Sequence, residues 1–275
     1  MNLHRLWSRL LLCFLLALPG LEAVAAPTLG GQTELRTRDQ AANRILNMAL
    51  ADAFWQSSTK NNYSGHLYDE IRLRSYGGGF VSLVTGEGEE DFRPEVVADI
   101  VFRQQNEIPQ HIEGAKDVVL LGEGIDPING APYTDTFFYL DMTLFYATYT
   151  QRMYRLEAGD GRTILYFEQL NESFVDASTW AQYQSTIQAA SEAVEKRWVG
   201  NSVIPITKIY GMFIVSPGEV RQTRVTFINS LSFGEGTGML AQMGSKMPAV
   251  IRAGLQSGFN ACVAIASSEQ KKRGQ

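Results

Sequence analysis

Cysteine is almost absent from this chain: two in 275 residues, Cys13 and Cys262. Cys13 falls in an apolar N-terminal stretch, and without it Cys262 has no partner for an internal disulfide. Histidine is equally sparse, with three residues. His66 and His111 are the two beyond that stretch, and neither has a companion at metal-ligand spacing. No Gly-x-Ser-x-Gly, His-Glu-x-x-His or phosphate-cradling glycine loop leading into Lys-Ser or Lys-Thr occurs, which removes the common hydrolase, metalloprotease and nucleotide signatures. Gly77-Gly78-Gly79 lacks that lysine and reads as a turn. Glu87, Glu89, Glu90 and Asp91 lack the ligand order of a calcium loop and read as a solvated acidic turn. Basic charge is not in excess either: 24 Lys and Arg stand against 29 Asp and Glu, a net charge of −5. Such a balance gives no basic face for nucleic acid.

Beyond the N-terminus no apolar run reaches the ~18 residues that a membrane-crossing helix needs. At the N-terminus, Arg5 and Arg9 precede the apolar run Leu10–Pro19, and Ala23-Val24-Ala25 supplies a small-x-small cleavage pattern. Residues 1–25 are therefore expected to be a removed signal peptide, and the mature chain to be periplasmic or secreted. No small residue precedes Cys13, which argues against a lipid anchor there. Residues 26–38 are polar and rich in Gly and Thr, and read as a flexible linker. Residues 39–268 follow as one domain, and 269–275, with Lys271-Lys272-Arg273, read as a basic tail that is solvated or touches anionic headgroups.

Within the domain the periodicities alternate. Ala42, Ile45, Leu46, Ala49, Leu50, Ala53 and Phe54 predict a helix over 39–57, closed by Asn61–Gly65. Strands are predicted over 66–76 and 80–85, then a helix opening at Pro94 and a strand over 117–123. The run 134–148 reads as one strand with Phe138, Leu140, Met142 and Leu144 on one face. Another strand runs to Leu156, and Thr163–Leu170 returns after Gly159-Asp160-Gly161. A helix over 176–198, strands over 203–215 and 220–232, and a terminal helix complete the order. In that last helix Met239, Met243, Met247, Ile251, Leu255, Phe259, Cys262 and Ala266 share one stripe, with Pro248 marking a kink or fresh start. The plainest reading of the stripe is an ordinary core helix. The richer one is a pliable Met- and Gly-bearing roof over a cavity.

Two stretches carry a family resemblance. Phe92-Arg93-Pro94-Glu95-Val96-Val97-Ala98-Asp99-Ile100 runs through Glu107-Ile108-Pro109 to Lys116-Asp117-Val118-Val119-Leu120. Phe233-Gly234-Glu235-Gly236 leads into Lys246-Met247-Pro248-Ala249-Val250-Ile251. With the element order, they resemble the START-like, helix-grip family of lipid-transfer domains and polyketide cyclases over residues 40–268. The chain departs from that family in the 176–198 helix, which looks inserted, and in lacking tryptophans beside the last proline. The resemblance implies an α+β fold in which a curved antiparallel sheet wraps a long C-terminal helix around a hydrophobic cavity. It also implies noncatalytic binding or transfer of a hydrophobic small molecule such as a lipid, with no cofactor or metal. Cavity-lining candidates are Phe138, Leu140, Met142, Leu144, Met243, Met247, Ile251, Leu255 and Phe259, with Arg152 and Tyr154 as a polar handle. Transient membrane contact and a monomeric state go with this reading. Two alternatives remain: an enzyme of the cyclase/hydrolase branch using a carboxylate such as Glu168 or Asp141, and an interaction module whose interior is filled.

Overall fold

Asp39 starts the first described helix: its carboxylate accepts from the Ala41 and Ala42 amides at 2.7 and 3.3 Å, which caps α1 (Gln40–Ala49). Ala42, Ile45, Leu46 and Ala49 form its buried stripe. The computed structural model describes residues 34–63, 68–76, 79–87, 93–111, 114–141, 145–158, 160–194, 203–219, 222–233 and 248–274. The helix expected over 39–57 is two pieces, because α1 ends at Ala49 and a single turn, α2 (Asp52–Trp55), follows. The segment expected to break it instead supplies a strand, β1 (Thr59–Asn62), held by register with the next one rather than by apolar alternation.

β2 (Glu70–Tyr76) and β3 (Gly79–Gly86) form the hairpin expected at the triple glycine, with Tyr76 paired to Gly79. α3 (Pro94–Arg103) opens at its proline and buries Val97, Ala98, Ile100, Val101 and Phe102. A 3-10 turn (Gln105–Glu107) and a short α4 (Ile108–His111) lead into β4 (Ala115–Ile125). The run read as one strand over 134–148 is split between β5 (Pro132–Asp141) and β6 (Tyr146–Glu157). Apolar residues on both faces of the run hide the reversal, which no glycine or proline marks. β7 (Thr163–Gln169) returns after a turn in which Gly161 adopts φ +83. α5 (Ala177–Ala193) is capped by Asp176, and β8 (Val203–Pro217) and β9 (Thr223–Phe233) pair in antiparallel register. The described part of the terminal helix, α6, runs Pro248–Gly274. Residues 234–247, on which the question of a kink or fresh start at Pro248 turns, lie outside the described part.

The nine strands make one open sheet in the order β1-β2-β3-β9-β8-β7-β6-β5-β4, all neighbours antiparallel. A short parallel pairing of Tyr146–Thr148 with Val203–Pro205 also links β6 to β8 past the end of β7. Strand alternation divides the residues between two faces. The inner face meets α3 and α6 in one core that includes Phe167, Phe213, Phe227, Leu255 and Phe259. The outer face meets α1 and α2 through Tyr154, Ile164, Tyr166, Met212 and Ile228, and meets α5 through Phe137, Tyr139 and Tyr146.

Two boundaries differ from the sequence reading. Residues 34–38 are part of the domain, not linker: Leu35 is fully buried, and its amide donates to Asn47 Oδ1 at 2.8 Å. Residues 269–274 are the last turns of α6, and Lys272 pairs with Glu107 at 3.1 Å. Residues 1–33 lie outside the described part, as do 88–91 of the acidic turn. Among the described residues no helix is long and apolar enough to cross a membrane.

Candidate functional site

The space between α6 and the inner face differs from one end to the other. Over β9 the helix is seated directly on the sheet, since a Cβ placed on Gly258 would lie 2.5 Å from Phe227 Cε1. Phe227 stacks on Phe213 at 4.3 Å, and Phe259 meets Tyr68 edge-on at 6.1 Å. No gap exists there. Over β5 and β6, Phe138 stacks on Tyr149 at 4.6 Å beside Ala115, Val118, Leu140 and Ile108. Tyr149 is half-buried, and burial pushes its hydroxyl above the ordinary tyrosine value.

Beside Tyr149 the inner face carries a row of neutral polar side chains. Cross-strand register aligns Thr136 of β5 with Gln151 of β6, and Gln151 with Gln169 of β7. Gln105, from the turn after α3, covers Gln151: Gln151 Nε2 donates to Gln105 Oε1, and Gln105 Nε2 donates to Thr134 Oγ1, each at 3.0 Å. On either side of this satisfied pair stand two buried atoms with no hydrogen-bond partner, Thr136 Oγ1 and Gln169 Oε1. Native interiors leave few such groups.

The structure brings Phe138, Leu140, Leu255 and Phe259 to the inner face, and places Ile251 half-buried one turn before Leu255. Met142, Leu144, Met243 and Met247 lie outside the described residues. Arg152 and Tyr154 are not part of this group. On β6 they alternate with Gln151 and Met153, so they project from the outer face, where Tyr154 packs with α1 and Arg152 meets Asp135. Even spacing in the strand decides their side, and the sequence reading placed them across from where they are.

Neither the family models nor the curated proteins yield a match to this sequence. Solved structures do match in architecture. Human StAR-related lipid transfer protein 5 superposes with a TM-score of 0.53 at 7% identity, over 84% of this chain and 97% of that one. Human STARD10 gives 0.51 at 8%, over 89% and 87%. A fragment of the STAR-related lipid transfer protein from Xanthomonas axonopodis gives 0.50 at 11%, over 78% and 98%. The chain has the helix-grip fold. The grip is the antiparallel sheet laid around α6, and the inner face is its enclosed side.

Outside the grip, a second polar cluster holds the N-terminal segment and α5 to the sheet. Asp135 receives Arg152 in a bidentate pair, Nε to Oδ1 and Nη2 to Oδ2, both 2.7 Å. Arg152 Nη1 reaches Asp126 Oδ2 at 3.0 Å, and Arg38 Nη2 reaches the same oxygen at 2.8 Å. Tyr183 of α5 donates to Asp135 Oδ2 at 3.1 Å, and the Arg152 guanidinium lies 3.7 Å from the centre of the Tyr133 ring. Glu168 accepts three donors: the Arg38 amide at 2.8 Å, the Asp39 amide at 2.7 Å and the Tyr154 hydroxyl at 2.9 Å.

Burial pushes the Asp135 and Glu168 carboxyls above their usual range despite these donors. At Asp126 burial acts the same way, but the Ile128 and Asn129 amides and Arg38 outweigh it and hold the carboxyl low. This is a fastening, with the oxygens of its three carboxylates occupied. Glu168, the carboxylate weighed above for acid–base work, is spent on backbone amides and faces away from the grip. Asp141 has the same parity as Phe137 and Tyr139 and lies 3.6 Å from Lys116 Nζ. Among the described residues no three His, Cys, Asp or Glu side chains are grouped to hold a metal ion.

Tyr149, Thr136, Gln151 and Gln169 were not singled out in the sequence. The signal was there in part: Thr136 and Phe138 share a strand face, so the residues opposite them across a hairpin share it too. It required knowing that the hairpin turns between Asp141 and Tyr146.

Proposed function

We propose that this protein binds or carries a hydrophobic small molecule, a lipid, in the space between the inner face and α6, without catalysing a reaction. The observation that carries the reading is the apolar cluster of Phe138, Val118, Leu140 and Tyr149 on the inner face of the grip, opposite its charged fastening. Two of the solved structures with this fold are lipid transfer proteins by name, and a grip of nine strands suits the enclosure of an apolar chain. The mature chain works in the periplasm or outside the cell, as the leader at residues 1–25 calls for, as a monomer that touches membranes transiently to load and unload. The cyclase/hydrolase alternative finds no support at Glu168, which is committed to the Arg38 and Asp39 amides on the other face.

The test is organic extraction of the protein purified from its native host, followed by mass spectrometry. A recurrent lipid at a fixed molar ratio is expected. Protein that carries none, and takes none up from vesicles of the host's own lipids, would refute the reading.

A further inference from the structure

The neutral row on β5, β6 and β7 bears on what kind of lipid fits. We infer that Thr136 and Tyr149 form a head-group subsite that prefers an uncharged, hydroxyl- or carbonyl-bearing lipid over an anionic one. The inference rests on the lipid-binding reading above and deepens it.

Every polar side chain at this place is neutral: Gln105, Thr134, Thr136, Tyr149, Gln151 and Gln169. The Thr136 hydroxyl is buried without a partner, and it and the Tyr149 hydroxyl can each donate or accept. A ligand hydroxyl or carbonyl satisfies them. A carboxylate or phosphate would enter a site where no cation awaits it, and an uncompensated buried charge is strongly disfavoured.

The described arginines and lysines nearest the row are paired, while His111, on the short helix that carries Ile108, keeps a buried Nε2 with no hydrogen-bond partner. Arg155 alternates onto the inner face beyond Met153, but Asp99 at 3.0 Å and Glu157 at 2.7 Å hold it. Arg152 projects to the outer face with Asp135 and Asp126. Lys272 is half-exposed and pairs with Glu107, two residues from Gln105. Arg252 lies twenty residues earlier on α6, about 30 Å along the helix from Lys272, with its Nε buried and unpartnered.

Three fluorescent probes with one tail and three heads test this: 10-(pyrenyl)decanol, 10-(pyrenyl)decanoate and decylpyrene, titrated into delipidated mature protein at neutral pH. The alcohol is expected to bind about tenfold more tightly than the hydrocarbon, the effect of one or two satisfied hydrogen bonds, and the carboxylate no more tightly than the hydrocarbon. In Tyr149→Phe and Thr136→Val the alcohol-to-hydrocarbon ratio should fall severalfold toward one. The hydrocarbon affinity of each variant reports whether the grip itself is intact. A carboxylate that binds more tightly than the alcohol, or a ratio untouched in both variants, would overturn the neutral subsite and leave lipid binding standing. Failure of all three probes to bind would overturn lipid binding itself, and the subsite with it.

Discussion

At the scale of single residues, the outer face of the sheet holds a buried cluster of charges around Arg152. Arg152 is 1% exposed and its partners Asp126 and Asp135 are fully buried, so this is a desolvated network. Buried pairs of this kind contribute little relative to apolar replacements, but removing one member strands the other. Asp135→Asn is therefore expected to destabilise the fold by roughly 3 kcal/mol in urea unfolding. Asp160→Ala, which removes an exposed partner from Arg162, should cost less than about 1 kcal/mol. Equal effects from the two substitutions would show that the outer cluster is not the fastening described. The cluster was visible in the sequence only as charged residues embedded in strands. The partners could not be read from spacing, because Arg38, Asp126, Asp135 and Arg152 come from four separate parts of the chain.

At the scale of elements, α6 makes two different demands on its glycines. Gly254 is exposed and a Cβ there would meet nothing within 4 Å, whereas one on Gly258 would strike the Phe227 ring. Alanine at an open helical site removes the entropic disadvantage of glycine, so Gly254→Ala should stabilise by about 0.5–1 kcal/mol. At Gly258 the same gain is opposed by overpacking against a ring already stacked on Phe213, a penalty of about 1–3 kcal/mol. Gly258→Ala is thus expected to lower the thermal midpoint while Gly254→Ala raises it. Parallel shifts would mean that α6 does not sit on β9 as closely as described.

Most elements were legible because their punctuation is local: Pro94 as a helix opening, the triple glycine as a hairpin, Gly159-Asp160-Gly161 as a turn. Where punctuation is missing the reading failed. The β5–β6 reversal has neither glycine nor proline, and β1 is polar, so pairing with β2 rather than composition makes it a strand.

At the scale of the whole molecule, the helix-grip topology was recoverable from element order, while the side on which a residue projects was not. Arg152 and Tyr154, taken as a polar handle for the cavity, project from the other face, and Tyr149 was not singled out. The outer face is closed over by the N-terminal helices and α5, and the inner face carries α3 and α6. The account's central claim is that an apolar chain lies between that inner face and α6.

Intermolecular NOEs measure this most directly, between a protonated lipid loaded from a whole-lipid extract and perdeuterated protein carrying protonated Phe and Tyr rings. Cross-peaks from the acyl chain to Phe138 and Tyr149, with none to Tyr154 or Tyr166 on the outer face, are the expected result. Contacts confined to the outer face, or a bound lipid that touches neither Phe138 nor Tyr149, would contradict it.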